Sequence, residues 1–130
     1  MSLAFVGPPF LEIYEIPPDR PVELFRIVRS DDRRNPAFRG SFMSNFATGR
    51  PPRGPESRSA AIQMGLSMYE QSTQAEGTAR LYPAIGQYVA RLLVAAGQGF
   101  NLASTGQVGH WTVWGRPDQL VDAVVDVYPW

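Results

Sequence analysis

Twelve prolines and twelve glycines are spread through 130 residues, and they cut the chain into short elements. Proline supplies no ladder donor and blocks a helix interior, while glycine weakens helices and strands alike. No run approaches the roughly 20 consecutive apolar residues of a membrane helix. The length is that of one domain, and a hydrophobic fraction of 44% is enough for one core. There is no internal repeat and no low-complexity stretch.

Charged residues are 18% of the chain, below the roughly 25% of an average globular protein, which argues against wholesale disorder. Twelve basic residues, all arginine, balance twelve acids. A nucleic-acid binder that works by phosphate neutralisation carries a basic excess, so that class is disfavoured. The absence of cysteine excludes a disulfide scaffold, a thiolate zinc site and a cysteine nucleophile. His110 is the only histidine, so any metal site would be mostly carboxylate. The opening MSLAFVGPPF lacks the basic start of a secretory signal. The expectation is a cytoplasmic protein, or one delivered without a signal peptide, with no membrane association.

The neutral sum hides an uneven layout. Residues 1–25 hold Arg20 against Glu12, Glu15, Asp19 and Glu23, whereas residues 26–58 hold eight arginines against Asp31, Asp32 and Glu56. Guanidinium forks pair bidentately with phosphates and carboxylates, so this middle segment suits an anionic ligand. The plainer reading is a solvated loop whose arginines pair with the acidic flanks. Arg50, Arg53 and Arg58 are read in that plainer way.

Along the chain, Leu11–Ile16 is a short apolar segment ended by Pro17 and Pro18. Glu23–Arg29 reads as a strand with Phe25, Ile27 and Arg29 on one face and Leu24, Arg26 and Val28 on the other. Residues 30–59, dense in Arg, Pro, Gly, Ser and Asn, are read as a long loop with one ordered island at Ser41–Phe46. Gly65–Glu70 is a further strand, and a helix begins near Ser72. Ile85, Val89, Leu92, Leu93 and Ala96 follow a 3.6-residue period, which predicts a helix stopped by Gly97. Phe100–Ser104 and His110–Trp114 are strand segments. Gly115-Arg116-Pro117-Asp118 opens a last predicted helix, with Leu120, Val121, Val124 and Val125 on its apolar face and Asp118, Asp122 and Asp126 on the other. The sum is a single α+β domain.

P-loop, GxGxxG, GxSxG, HExxH and calcium-loop signatures are missing. Gly97-Gln98-Gly99 is a turn, and Asp31 and Asp32 point apart in extended chain. A hydrolytic pair of Ser67 and His110 requires the fold to bring them within hydrogen-bond reach. What remains is an order of motifs. Leu24-Phe25-Arg26-Ile27-Val28 is similar to an opening aromatic-Arg strand. Gly65-Leu66-Ser67-Met68-Tyr69 is similar to a central Gly-x-Ser-hydrophobic-aromatic strand. Gly109-His110-Trp111-Thr112-Val113 is similar to a late His-aromatic-Thr strand. In that order the chain resembles the ADP-ribosyltransferase-like toxin domains, above all small type VI secretion toxins and, more distantly, RES-type NAD-consuming toxins.

The resemblance implies a split, mainly antiparallel sheet flanked by helices, with NAD as substrate and an antitoxin or immunity protein as partner. It implies ADP-ribose transfer or NAD hydrolysis. One departure stands: such transferases carry a late catalytic glutamate, and no glutamate follows Glu76 here. The chemistry of NAD asks for a cation at the pyrophosphate, hydroxyl donors at the riboses and an aromatic face for nicotinamide. Arg26 and Arg29 are the candidates for the phosphates, Ser67 for a ribose hydroxyl and Tyr69 for the ring. Glu70 is the candidate carboxylate for an oxocarbenium-like ribose, although strand alternation turns it away from Tyr69. His110 is the second catalytic candidate. Two other readings stand beside this one. The first is an interaction module whose arginine-rich loop takes an acidic or phosphate-bearing partner. The second is a virion or assembly component that self-associates through its Pro-rich start and its apolar end at Trp130.

Overall fold

Leu24, Phe25, Ile27 and Val28 are all buried, so the strand that carries Arg26 has protein on both faces. This strand, β3 (Val22–Val28), lies inside an antiparallel sheet of a computed structural model that describes residues 2–7, 11–51 and 59–130. Among those residues there are seven further strands: β1 (Ser2–Gly7), β2 (Leu11–Glu15), β4 (Leu66–Tyr69), β5 (Tyr88–Val94), β6 (Asn101–Ser104), β7 (His110–Trp114) and β8 (Val124–Pro129). Their order across the sheet is β1-β2-β6-β7-β4-β3-β5-β8, with every neighbouring pair antiparallel. The helices are α1 (Pro36–Gly40), α2 (Ala60–Gln63), α3 (Ser72–Leu81) and α4 (Pro117–Ala123). The chain is an α+β domain, as its mixture of patterns predicts.

Alternation in β3 builds two cores. Leu24 and Val28 join the larger one with Phe38, Phe42, Met68, Leu92 and Leu120. Phe25 and Ile27 join a smaller one with Tyr69, Val89 and two alanines of α3, Ala75 and Ala79. Helix α3 lies over β3, β4 and β5, while α4 packs against β5 and β8. Small residues on the buried side of α3 let it sit close to the sheet.

Three expectations are corrected. Residues 85–96 do not form a helix: Pro83–Ile85 is a 3-10 turn and Tyr88–Val94 is β5, paired with β3 over seven residues. A strand covered on both faces reads as a continuous apolar run, which also satisfies a helical period. The last predicted helix stops at Ala123. Val124 and Val125 begin β8, where β-branched side chains fit the pleated surface. The segment 30–59 is no bare loop either. Asn35 caps α1 by accepting from the Ala37 N–H, and Phe38 and Phe42 are 0% and 1% exposed, a burial worth about 1.5–3 kcal/mol for each ring.

Arginines fasten this segment to the body. Arg33 donates from Nη1 and Nη2 to the carbonyls of Val121 and Val124 at 3.2 and 2.7 Å, covering the C-terminal end of α4. Arg39 pairs with Asp118 at 3.0 Å on the surface. The end of the chain is also taken up internally. Trp130 donates from Nε1 to the Gly86 carbonyl at 2.9 Å and packs, with Tyr128, on the smaller core. Its size therefore gives no reason for self-association. The Pro-rich start at Pro8 and Pro9, together with Arg53, Glu56 and Arg58, lies outside the described residues.

The weakest seam of the sheet is between β3 and β4, which meet at one pair, Phe25 opposite Tyr69. On either side the ladders are longer, with four pairs between β4 and β7. No helix among the described residues is long and apolar enough to cross a membrane.

Candidate functional site

At that seam, where the ladder has one pair, the Ser67 carbonyl takes a donor from a side chain of β3. Arg26 supplies it. Its Nη1 donates to the Ser67 carbonyl and its Nε to the Ser41 carbonyl, each at 2.7 Å. The guanidinium thus ties β4 and the segment after α1 to β3. Neither bond is to a carboxylate, and Arg26 has no ionic partner among the described residues. Glu23, on the same strand, accepts from Arg91 at 2.6 Å. Burial pushes the Arg26 pKa down to about 10; Tyr69 opposes that shift and Arg29 adds to it. The group stays charged at neutral pH. A half-buried cation held only by carbonyls, its pKa lowered by desolvation, is the kind of group that concentrates at functional sites.

Arg26 faces a cavity of about 490 Å³. Arg29, Ser67, Tyr69 and His110 line the same cavity. Five of the six residues singled out from the sequence therefore come together, from strands β3, β4 and β7 and the turn after β3. Arg29 is exposed; its N–H donates to Ser41 Oγ at 3.0 Å and its Nε to the Ile85 carbonyl at 3.4 Å. Ser67 is also exposed, and it sits opposite Thr112 in the ladder. Tyr69 serves both core and cavity: it is 8% exposed, and its ring meets His110 edge-on at 5.2 Å.

His110 is held from one side. Its Nδ1 lies 2.8 Å from the Thr105 carbonyl and 3.1 Å from Thr105 Oγ1, which in turn contacts Thr112 Oγ1 at 2.7 Å. A carbonyl can only accept, so Nδ1 carries the proton and Nε2 is left as the acceptor. Burial lowers the His110 pKa, with the Thr105 carbonyl pulling the other way. No hydrogen bond joins Ser67 to His110 among the described residues, so no hydrolytic pair is formed.

The lowered pKa has a sign that can be tested. Below about pH 6.5, the ordinary histidine value, the unfolded chain takes up a proton that folded His110 resists. Stability is therefore expected to fall as pH drops through that value toward the lower folded one. Urea unfolding between pH 8 and 5 should show a steeper loss for the parent chain than for His110→Gln. Parallel curves would place the pH dependence elsewhere.

Glu70 is corrected. It follows the last residue of β4 and turns to the other side, where its carboxylate accepts from Trp111 Nε1 at 2.6 Å, away from the cavity. Glu76 accepts from the Tyr128 hydroxyl at 3.1 Å. No carboxylate among the described residues lines the cavity, and no group of three or more potential metal-ligating side chains comes together among them.

Sequence reasoning missed Ser41 and Arg50. Ser41 is 8% exposed and works through all its polar atoms: its carbonyl accepts from Arg26, its Oγ accepts from the Arg29 N–H and donates to the Ala37 carbonyl at 2.8 Å. The start of the ordered island at Ser41–Phe46 was its only signal. Arg50 lines the cavity from the end of the same segment. No family model, curated protein or solved structure matches the chain.

Proposed function

We propose that the cavity binds NAD and that the chain is an ADP-ribosyltransferase-like toxin or effector domain serving ADP-ribose transfer or NAD hydrolysis. One observation carries the reading. Arg26, Arg29, Ser67, Tyr69 and His110, far apart in sequence, line one cavity beside the seam of an antiparallel sheet. Cations suit the pyrophosphate, Ser67 and the acceptor Nε2 of His110 suit ribose hydroxyls, and Tyr69 offers the nicotinamide an aromatic wall. With Glu70 engaged by Trp111, the catalytic part assigned to it is withdrawn.

Thermal unfolding with and without NAD, ADP-ribose and ATP tests the reading. A ligand at a hundredfold excess over its Kd adds about 2.7 kcal/mol to the folded state, a shift of several degrees for a domain of this size. NAD and ADP-ribose are expected to raise the melting temperature more than ATP does. No shift with any of the three would sink the proposal. Release of nicotinamide from NAD then separates an enzyme from a binding domain.

A second observation supports a protein partner over the mouth. Phe46, Met64, Leu81, Tyr82 and Val108 are exposed apolar side chains, and each lines the cavity or is next in sequence to a residue that does. Exposed apolar side chains on the segments that line a cationic hollow suit an acidic protein surface, such as that of an antitoxin or immunity protein.

A further inference from the structure

Arg50 differs from most arginines of its segment. Arg33 holds two carbonyls, and Arg34 and Arg39 pair with Asp32 and Asp118. The guanidinium of Arg50 has no hydrogen bond or ion pair among the described residues, yet it lines the cavity. Its backbone is firmly placed. The Arg50 N–H donates to the Asn45 carbonyl at 2.8 Å, and the Gln63 side-chain amide donates to the Arg50 carbonyl at 3.1 Å. Gly49, at φ 71°, makes the left-handed turn that brings the chain back to this point. The side chain is thus presented from a fixed base.

Arg26 offers a matching surplus. Its Nε and Nη1 are taken by carbonyls, which leaves Nη2 to donate. The guanidinium groups of Arg26, Arg29 and Arg50 line a cavity with no described carboxylate, and an anion bound among them relieves their mutual repulsion. A single phosphate is satisfied by one fork. Two linked phosphates give each guanidinium its own charge-assisted partner.

We infer that Arg50 is a further anion-holding residue beside Arg26 and Arg29 and that, with Arg26, it makes the cavity selective for a diphosphate over a lone phosphate. The inference rests on the reading of the cavity as a nucleotide site and adds to it the residue that grips the second phosphate. The experiment is calorimetric titration of the full chain and of Arg50→Ala with pyrophosphate, orthophosphate and ADP-ribose at constant salt. Arg50→Ala is expected to melt within about 2 °C of the parent, because the side chain holds nothing in the protein. Its affinity for pyrophosphate and ADP-ribose should fall about tenfold or more, the scale of one lost charge-assisted contact. Its affinity for orthophosphate should change less than about threefold. Arg50→Lys should recover part of the loss, since it returns the charge without the fork.

Unchanged pyrophosphate affinity in Arg50→Ala overturns the inference, as does a parent chain that binds orthophosphate as tightly as pyrophosphate or binds neither. The two readings fail separately. If Arg50→Ala weakens pyrophosphate but NAD and ADP-ribose do not bind the parent, the diphosphate clamp stands and the NAD reading falls. If ADP-ribose binds the parent and is lost in Arg26→Ala but not in Arg50→Ala, the NAD reading stands and the clamp falls.

Discussion

Arg26→Ala is expected to remove the NAD-induced thermal shift and also to lower the stability of the ligand-free chain by about 1–3 kcal/mol. Both effects come from one guanidinium. In the protein it donates to the carbonyls of Ser41 and Ser67, and both acceptors lose a charge-assisted donor when it is truncated. Water entering from the cavity will satisfy part of that deficit, which sets the lower end of the range. The seam between β3 and β4 has one ladder pair, so the loss falls where the sheet has least in reserve. For the ligand, Arg26 is the cavity cation held by two carbonyls, and the chain has no lysine to replace it.

Arg26→Lys separates the two roles. An ammonium restores the charge but cannot span two carbonyls and still present a fork. It should regain some affinity for pyrophosphate-bearing ligands while recovering little of the stability. Urea unfolding gives the first quantity and titration with NAD the second. A folded Arg26→Ala chain that keeps its full NAD shift would remove Arg26 from the site, leaving it a fastener of the seam alone.

How much of this was legible in the sequence follows from what alternation can and cannot encode. Alternation placed Arg26 on a strand with apolar neighbours on both faces, and β3 bears that out. It also turned Glu70 away from Tyr69, as its bond to Trp111 shows. Alternation fails where both faces are covered, which is why β5 reads as helix; the start of β8 reads so because Val124 and Val125 continue the helical spacing of Leu120 and Val121. Alternation also carries no register. Only the fold opposes Phe25 to Tyr69 and Tyr69 to His110, and that row brings Arg26, Tyr69 and His110 around one hollow. Arg50 was illegible for a different reason. Its place depends on a turn at Gly49 and on Gln63 across the loop, neither of which has a periodic signature.

Gly65→Ala is expected to destabilise the chain by about 1–3 kcal/mol, the range for overpacking a filled site. The motif that begins at this glycine has a steric origin. A Cβ here would run into Thr112 Cγ2 and come within 3.1 and 3.2 Å of Trp114 Nε1 and Cε2. Neither neighbour can yield freely. Thr112 is 2% exposed and bonded to Thr105, the residue that holds His110. Trp114 donates from Nε1 to the Ala61 carbonyl of α2 at 2.8 Å. Gly77→Ala is the control: it lies in α3 with open space around the added methyl, where alanine should stabilise the helix by about 0.5–1 kcal/mol. Urea unfolding of the two variants should therefore move in opposite directions, and a Gly65→Ala chain as stable as the parent would show that the wall is softer than its packing indicates. Because the same methyl displaces the Thr105–Thr112 link behind His110, the variant should also weaken NAD binding at temperatures where it remains folded. The glycine, itself part of the cavity wall, then matters to the site through the room it leaves for Thr112.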